Sequence, residues 1–165
     1  MALKLELMDS REFVGKVEWI GIADARRQDH STPSQIEVVK GEGIVGEHHR
    51  GNQARPHRQV TLIQHEHLAV IGGLLGRDAV DPALLRRNLV VSGINLASLR
   101  EAEFSVGNVV LKGTGDCVPC ALMDDTLGAG GYAAMVSHGG ITATVESSGE
   151  IALGAEVKVV RFPDA

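Results

Sequence analysis

Arg58-Gln59-Val60-Thr61-Leu62-Ile63-Gln64-His65-Glu66-His67-Leu68-Ala69-Val70-Ile71-Gly72-Gly73-Leu74-Leu75 carries two periodicities in succession. Arg58 to Gln64 is a β-type run. From His65 onward Leu68, Ile71, Leu74 and Leu75 fall at helical spacing, so a strand runs into a helix. The next segment repeats the alternation on a smaller scale. Asp81 is suited to capping free amides and Pro82 to the first helical position, which predicts a short helix over Ala83 to Arg87. Asn88-Leu89-Val90-Val91-Ser92-Gly93 then switches to β-branched residues and ends in a turn. Further strands are predicted from Phe13 to Ile22, Gln35 to Lys40, Phe104 through the Val106 to Gly113 run, Ile141 to Glu146 and Glu156 to Phe162. Many short strands, three short helices and 20 glycines do not keep the βαβ rhythm of a doubly wound sheet. They predict a mainly β chain, a closed or partly closed barrel with a few short helices laid against it.

The chain has 165 residues, of which 44% are apolar and 22% charged. No repeat, low-complexity tract or linker divides it, so residues 1–165 read as a single domain. No apolar stretch has the length of a bilayer crossing. Met1-Ala2-Leu3-Lys4-Leu5-Glu6-Leu7 interrupts its apolar residues with charge, unlike a secretory signal, which predicts a cytoplasmic protein without a membrane partner. A net charge of −5 argues against nucleic acid as a partner, since such a binder normally shows a basic face. The charge is uneven, however. Arg50, Arg55, His57 and Arg58 stand together without an acid, and Arg86-Arg87 forms a second basic pair suited to a small anion.

The stretch richest in chemistry is Gly113-Thr114-Gly115-Asp116-Cys117-Val118-Pro119-Cys120-Ala121-Leu122-Met123, a Cys-x-x-Cys unit after a predicted strand, with a helix beginning near Cys120. A thiolate is both a nucleophile and a soft metal ligand, and a helix start favours it. A disulfide here would close too small a loop to staple a fold. Three other readings stand beside a ligand or sulfur-carrying role: structural zinc completed by His48, His49 or His138, a thioredoxin-like dithiol, and small buried thiols without a role.

Gly43-Ile44-Val45-Gly46-Glu47-His48-His49-Arg50-Gly51 places two histidines on a glycine-bounded turn, where they suit a metal or an anion. Strand alternation would aim only one of them at a given site. Arg86-Arg87-Asn88-Leu89 displays two guanidiniums and an amide where a helix gives way to a strand. Guanidiniums suit phosphate and carboxylate, and an amide reads a heterocycle edge. Cations also simply suit a helix C-terminus.

Taken in order, these segments resemble the MOSC family, named after the C-terminal domain of molybdenum-cofactor sulfurases. Gly46-Glu47-His48-His49 resembles its Gly-Asp-x-His turn, Arg58-Gln59-Val60 with Glu66 its Arg-Gln-Val strand and following glutamate, and Arg86-Arg87-Asn88-Leu89 with Gly93 its Arg-x-Asn-Leu/Ile and glycine. Val106-Gly107, Pro119-Cys120, Gly139-Gly140-Ile141, Gly149-Glu150-Ile151 and Gly154-Ala155-Glu156-Val157 continue the pattern, so that the likeness runs from about Gly41 to Val160. It departs at Glu47 for Asp, at Gly139 for the usual Arg, and at Ala155 for the usual Asp.

The resemblance implies a barrel whose cleft binds a molybdenum–pterin cofactor (molybdopterin type) or carries sulfur for it. Cys120 would be the metal ligand or persulfide site, and His48 a catalytic or positioning residue in the cleft. Arg58, Arg86, Arg87 and Asn88 would hold the anionic pterin. An oxidoreductase of this kind would reduce an N–O bond in a small-molecule substrate, with electrons from a separate donor protein. The other class of function is a non-catalytic module that binds a small anion or a partner peptide on the same barrel.

Overall fold

Strand β4 (Val60–Gln64) is buried at every position, which is why its sequence does not alternate: both of its faces are covered. Val60 and Leu62 enter one apolar cluster, and Ile63 enters another. The chain was built as a computed structural model that describes residues 6, 8, 11–24 and 31–163. The Met1 to Leu7 segment thus lies, Glu6 excepted, outside the described residues.

The first cluster fills a closed barrel. Its strands are β1 (Gly15–Ile20), β4, β5 (Leu89–Ser92), β6 (Glu103–Val106), β7 (Val109–Asp116), β8 (Ile141–Val145) and β10 (Glu156–Arg161), in the order β1-β10-β6-β7-β8-β4-β5. Every pairing is antiparallel except β4 with β5, where Leu62 lies opposite Leu89. A parallel pair needs a long crossover, and helix α1 (His65–Leu74) lies within that connection. Its Leu68 and Ile71 pack on Ile63 and Val90, together with Met123 and Leu127 of α2 (Leu122–Leu127) and Met135 of α3 (Gly131–Met135). Burying each such aliphatic side chain stabilises the fold by about 1.5–3 kcal/mol. A second, three-stranded sheet has the order β3-β2-β9, formed by β2 (Gln35–Val39), β3 (Gly43–Ile44) and β9 (Gly149–Ala152). Ile36, Val38, Ile44 and Ile151 seal it to the barrel core, and β3 leads straight into the His48-His49 turn.

The barrel with short helices agrees with the sequence reading, with corrections in detail. The Phe13–Ile22 strand contracts to β1, and its poor alternation has a cause: the register with β5 shifts between Val17 and Trp19, which puts Val17 and Ile20 inside and Trp19 under the helices. The Ala83–Arg87 helix is instead one 3-10 turn, Pro82–Leu85. Asp81 caps it as expected, accepting from the Ala83 amide at 2.9 Å. Arg86 takes a left-handed conformation, φ 58°, and ends it, because Asn88 must already pair its amide with Thr61 O at 3.0 Å. The Phe104-to-Gly113 run is a hairpin, β6–β7, turning on Gly107-Asn108. Helix α3 and strands β3 and β9 were not anticipated. Among the described residues no helix is long and apolar enough to cross a membrane.

Candidate functional site

Arg87 enters β5 from the left-handed turn at Arg86, and its side chain is only 3% exposed. It is therefore neither a surface cation nor a helix C-terminal one. Its Nε donates to Gly139 O at 2.9 Å, Nη1 to Leu85 O at 2.8 Å and Nη2 to Cys117 O at 3.4 Å. Those three bonds leave two of its five N–H groups unspent. Burial pulls its pKa below the usual arginine value. The thiols of Cys117 and Cys120 act the other way, and the neighbouring charge of Arg58 lowers it further. No carboxylate pairs with Arg87 or Arg58 among the described residues. The Nε of Arg58 is buried without a hydrogen-bond partner. Arg87 thus lies near two thiols and a second guanidinium, with no carboxylate paired to either arginine among the described residues, an expensive arrangement unless something anionic joins it.

Both cysteines are free, Cys117 buried and Cys120 exposed. Cys117 is pinned at the end of β7, its amide on Gly140 O at 2.9 Å. Cys120 sits two residues before the six-residue helix α2, where the amide of Met123 donates to its carbonyl at 3.0 Å. Position 139, where the resemblance expects arginine, has no room for a side chain. A Cβ there would overlap the Cys117 carbonyl and press on Arg87 Nη2. Nη2 of Arg87 lies beside this place, and its Nε donates to the Gly139 carbonyl.

Asn88 reaches other partners. Its Oδ1 accepts from the amide and hydroxyl of Thr61 at 3.0 and 3.1 Å. Its Nδ2 donates to Gly21 O and to Glu47 Oε2, both at 3.1 Å. The amide is fully spent inside the protein, so Asn88 is a strut rather than a group free to read a heterocycle edge. Glu47, whose side chain is 1% exposed, is the residue that sequence reasoning treated only as a replaced aspartate. Burial raises its pKa, but hydrogen bonds from His49 and from the Ala23 amide, with the charges of His48 and His49, outweigh that and lower it overall. Its Oε1 lies 2.7 Å from His48 Nδ1 and 3.2 Å from His49 Nδ1. The two rings have centroids 3.8 Å apart. Strand alternation was the wrong rule here, because this segment is a turn, and both histidines reach one carboxylate oxygen. An acid followed by two histidines is the signal that could have revealed the cluster.

The sequence matches the profile of the MOSC domain over residues 45–158, and the chain belongs to that family, which is associated with the molybdenum cofactor. Among solved structures it is similar to the YuaD protein of Bacillus subtilis, with TM-score 0.79 and 22% identity over 93% of this chain and 99% of that one. It is also similar to YiiM of Geobacillus stearothermophilus, with TM-score 0.71 and 14% identity over 89% of this chain and 75% of that one. For YiiM of Escherichia coli the TM-score is 0.66 and the identity 16%, over 94% and 72%. At these identities the likeness concerns the fold. A comparison with curated proteins gave no match.

Proposed function

We propose that the chain binds the molybdenum–pterin cofactor, with Cys120 as its thiolate ligand or as a persulfide carrier and Arg58, Arg86 and Arg87 meeting the anionic pterin. One observation carries this reading. The buried guanidinium of Arg87 lies near the thiols of Cys117 and Cys120 and near Arg58, whose buried Nε has no partner, and no carboxylate among the described residues pairs with either arginine. The donor set fits the group: a soft sulfur suits molybdenum, and guanidinium forks suit phosphate. When bound, the cofactor supplies the redox centre.

The chain's own residues would do the rest. Arg87, locked to three carbonyls, presents its remaining N–H groups in a fixed direction. Arg58 supplies a second fork whose Nε gains its missing partner. Asn88 positions the β5 junction by tying it to β1, β4 and the Glu47 turn, and His48 on that turn would position cofactor or substrate. If the protein turns over, its chemistry is reduction of an N-hydroxylated small molecule, R–NH–OH to R–NH2 and water. Two electrons would come from a separate donor protein and two protons from solvent.

Expression in a host that makes the cofactor, followed by molybdenum and pterin analysis, tests the reading. Roughly stoichiometric molybdenum and pterin that fall sharply in Arg58→Ala support it. Protein that holds phosphate but no pterin from such a host overturns it in favour of an anion-binding module.

A further inference from the structure

The Glu47 cluster is not needed to balance the arginines, and its geometry has a chemistry of its own. We infer that Glu47, His48 and His49 form a mononuclear site for a divalent first-row metal ion, of which zinc is the best match. This goes beyond the cofactor reading: it uses none of the thiols or arginines, and it makes His48 a metal ligand rather than a free ring that positions cofactor or substrate.

Glu47 divides its two oxygens. Oε2 accepts from the Ala23 amide at 2.9 Å and from Asn88 Nδ2 at 3.1 Å, which fixes the carboxylate plane. Oε1 is met only by the two imidazoles. No lysine or arginine competes for it among the described residues. One oxygen and one nitrogen from each ring lie within 4.8 Å of one another. Zinc bonds of about 2.0–2.1 Å place tetrahedral donors about 3.3 Å apart, which the 3.2 Å between Oε1 and His49 Nδ1 matches. His48 Nδ1, 2.7 Å from Oε1 and 3.1 Å from Ala23 O, sits between two acceptors, so His48 ligates through Nε2 or its ring turns from Ala23 O on metal binding.

The turn that carries the ligands is tied down. The Glu47 amide donates to Ile44 O at 3.2 Å, that of His48 to Ala23 O at 2.8 Å and that of Arg50 to Glu47 O at 3.1 Å. Exposure of 18% for the His48 side chain and 26% for that of His49, against 1% for Glu47, leaves one side open for entry and for a fourth ligand. Two imidazoles select against calcium and magnesium, which prefer all-oxygen shells, and the absence of thiolate removes the preference for copper(I). Two histidines and a glutamate with one open position are a ligand set of zinc sites that bind and polarise a small oxygen-bearing molecule.

The Cys-x-x-Cys unit could also take zinc, so the experiment separates the two. Chelator-stripped protein is titrated with zinc and with cobalt(II), as wild type, as Cys117→Ser/Cys120→Ser and as His49→Gln, with folding checked by circular dichroism. The proposal expects one equivalent of metal in both wild type and the cysteine-free variant, and a cobalt spectrum without a thiolate charge-transfer band. Binding should weaken by more than about tenfold in His49→Gln, a loss that even an outer-shell partner can cause. No uptake by wild type in excess metal overturns the proposal, as does uptake that survives in His49→Gln and disappears without the cysteines. If the cysteine-free variant fails to fold, the cobalt spectrum of wild type decides, since a thiolate band assigns the metal to sulfur.

Discussion

Asn88 Nδ2 and Glu47 Oε2 meet at 3.1 Å across 41 residues of sequence, and this bond joins the mouth of β5 to the His48-His49 turn. Because Asn88 also serves Thr61 and Gly21, removing it strands several buried groups at once. Asn88→Ala is expected to destabilise the protein by roughly 3 kcal/mol, each buried group left unpaired costing about 1–3 kcal/mol and some regaining water. Urea denaturation at unchanged slope measures it. A loss below about 1 kcal/mol would mean that the network carries little.

Gly139 is required by close approach, not by backbone conformation. Gly139→Ala drives a methyl into the Cys117 carbonyl and toward Arg87 Nη2. We expect a loss of about 1–3 kcal/mol, as for overpacked cores, and Gly139→Arg should not accumulate as folded protein. A stable, folded Gly139→Arg variant would show that the Cys117 carbonyl can give way.

The barrel was legible in the sequence because β-branched runs and glycine turns are local signals. Local signals failed where tertiary structure decides. Helix α3 is too short to show a period, β3 has only two residues, and at Pro82–Leu85 the Asp81-Pro82 start was legible but not that the turn would stop at the left-handed Arg86. Gly107-Asn108 did carry a hairpin signal, a glycine at a two-residue turn, which the continuous apolar run around it concealed. At the candidate site the residue types were legible but their burial was not. Arg87 reads as a surface cation until the carbonyls of Gly139 and Cys117, far away in sequence, close over it. Glu47 reads as a turn acid until Ala23 and Asn88 arrive.

His67 on α1 packs edge-on against His138, with centroids 5.1 Å apart. Burial lowers its pKa below 6.5, and the charge of His138 lowers it further, against a smaller opposing effect of Glu66. The folded state then binds fewer protons than the unfolded one. Stability should fall as pH drops through 6.5 and level off once the folded form is protonated too. His67→Gln should flatten this part of the profile, read from urea midpoints between about pH 8 and pH 5. A wild-type profile no steeper than that of the variant would contradict the assignment.

The two thiols should differ in reactivity before any question of function. Cys120 is exposed, whereas Cys117 is 2% exposed, so a neutral alkylating reagent should label Cys120 in native protein and Cys117 only on unfolding. Reductant should leave the melting temperature unchanged, because neither thiol is bonded and the loop they would close is small. A large drop under reductant in metal-free protein would count against both statements.

The contrast between Cys120→Ser and Cys117→Ser tests the cofactor reading most directly. Serine nearly preserves the volume of cysteine but offers a hard, poorly ionised oxygen. At exposed Cys120 the change should leave stability within about 0.5 kcal/mol while abolishing molybdenum retention or sulfur transfer in protein from a cofactor-producing host. At buried Cys117 the added hydroxyl finds itself in the interior, so the variant should lose about 1 kcal/mol or more of stability yet keep most of the metal that wild type retains. The effects therefore fall on different axes, and bound metal measured beside a denaturation curve separates them. If Cys120→Ser keeps its molybdenum while Cys117→Ser loses it without loss of stability, the buried thiol is the ligand and the roles must be exchanged. If both variants keep it, the arginines hold the cofactor without sulfur.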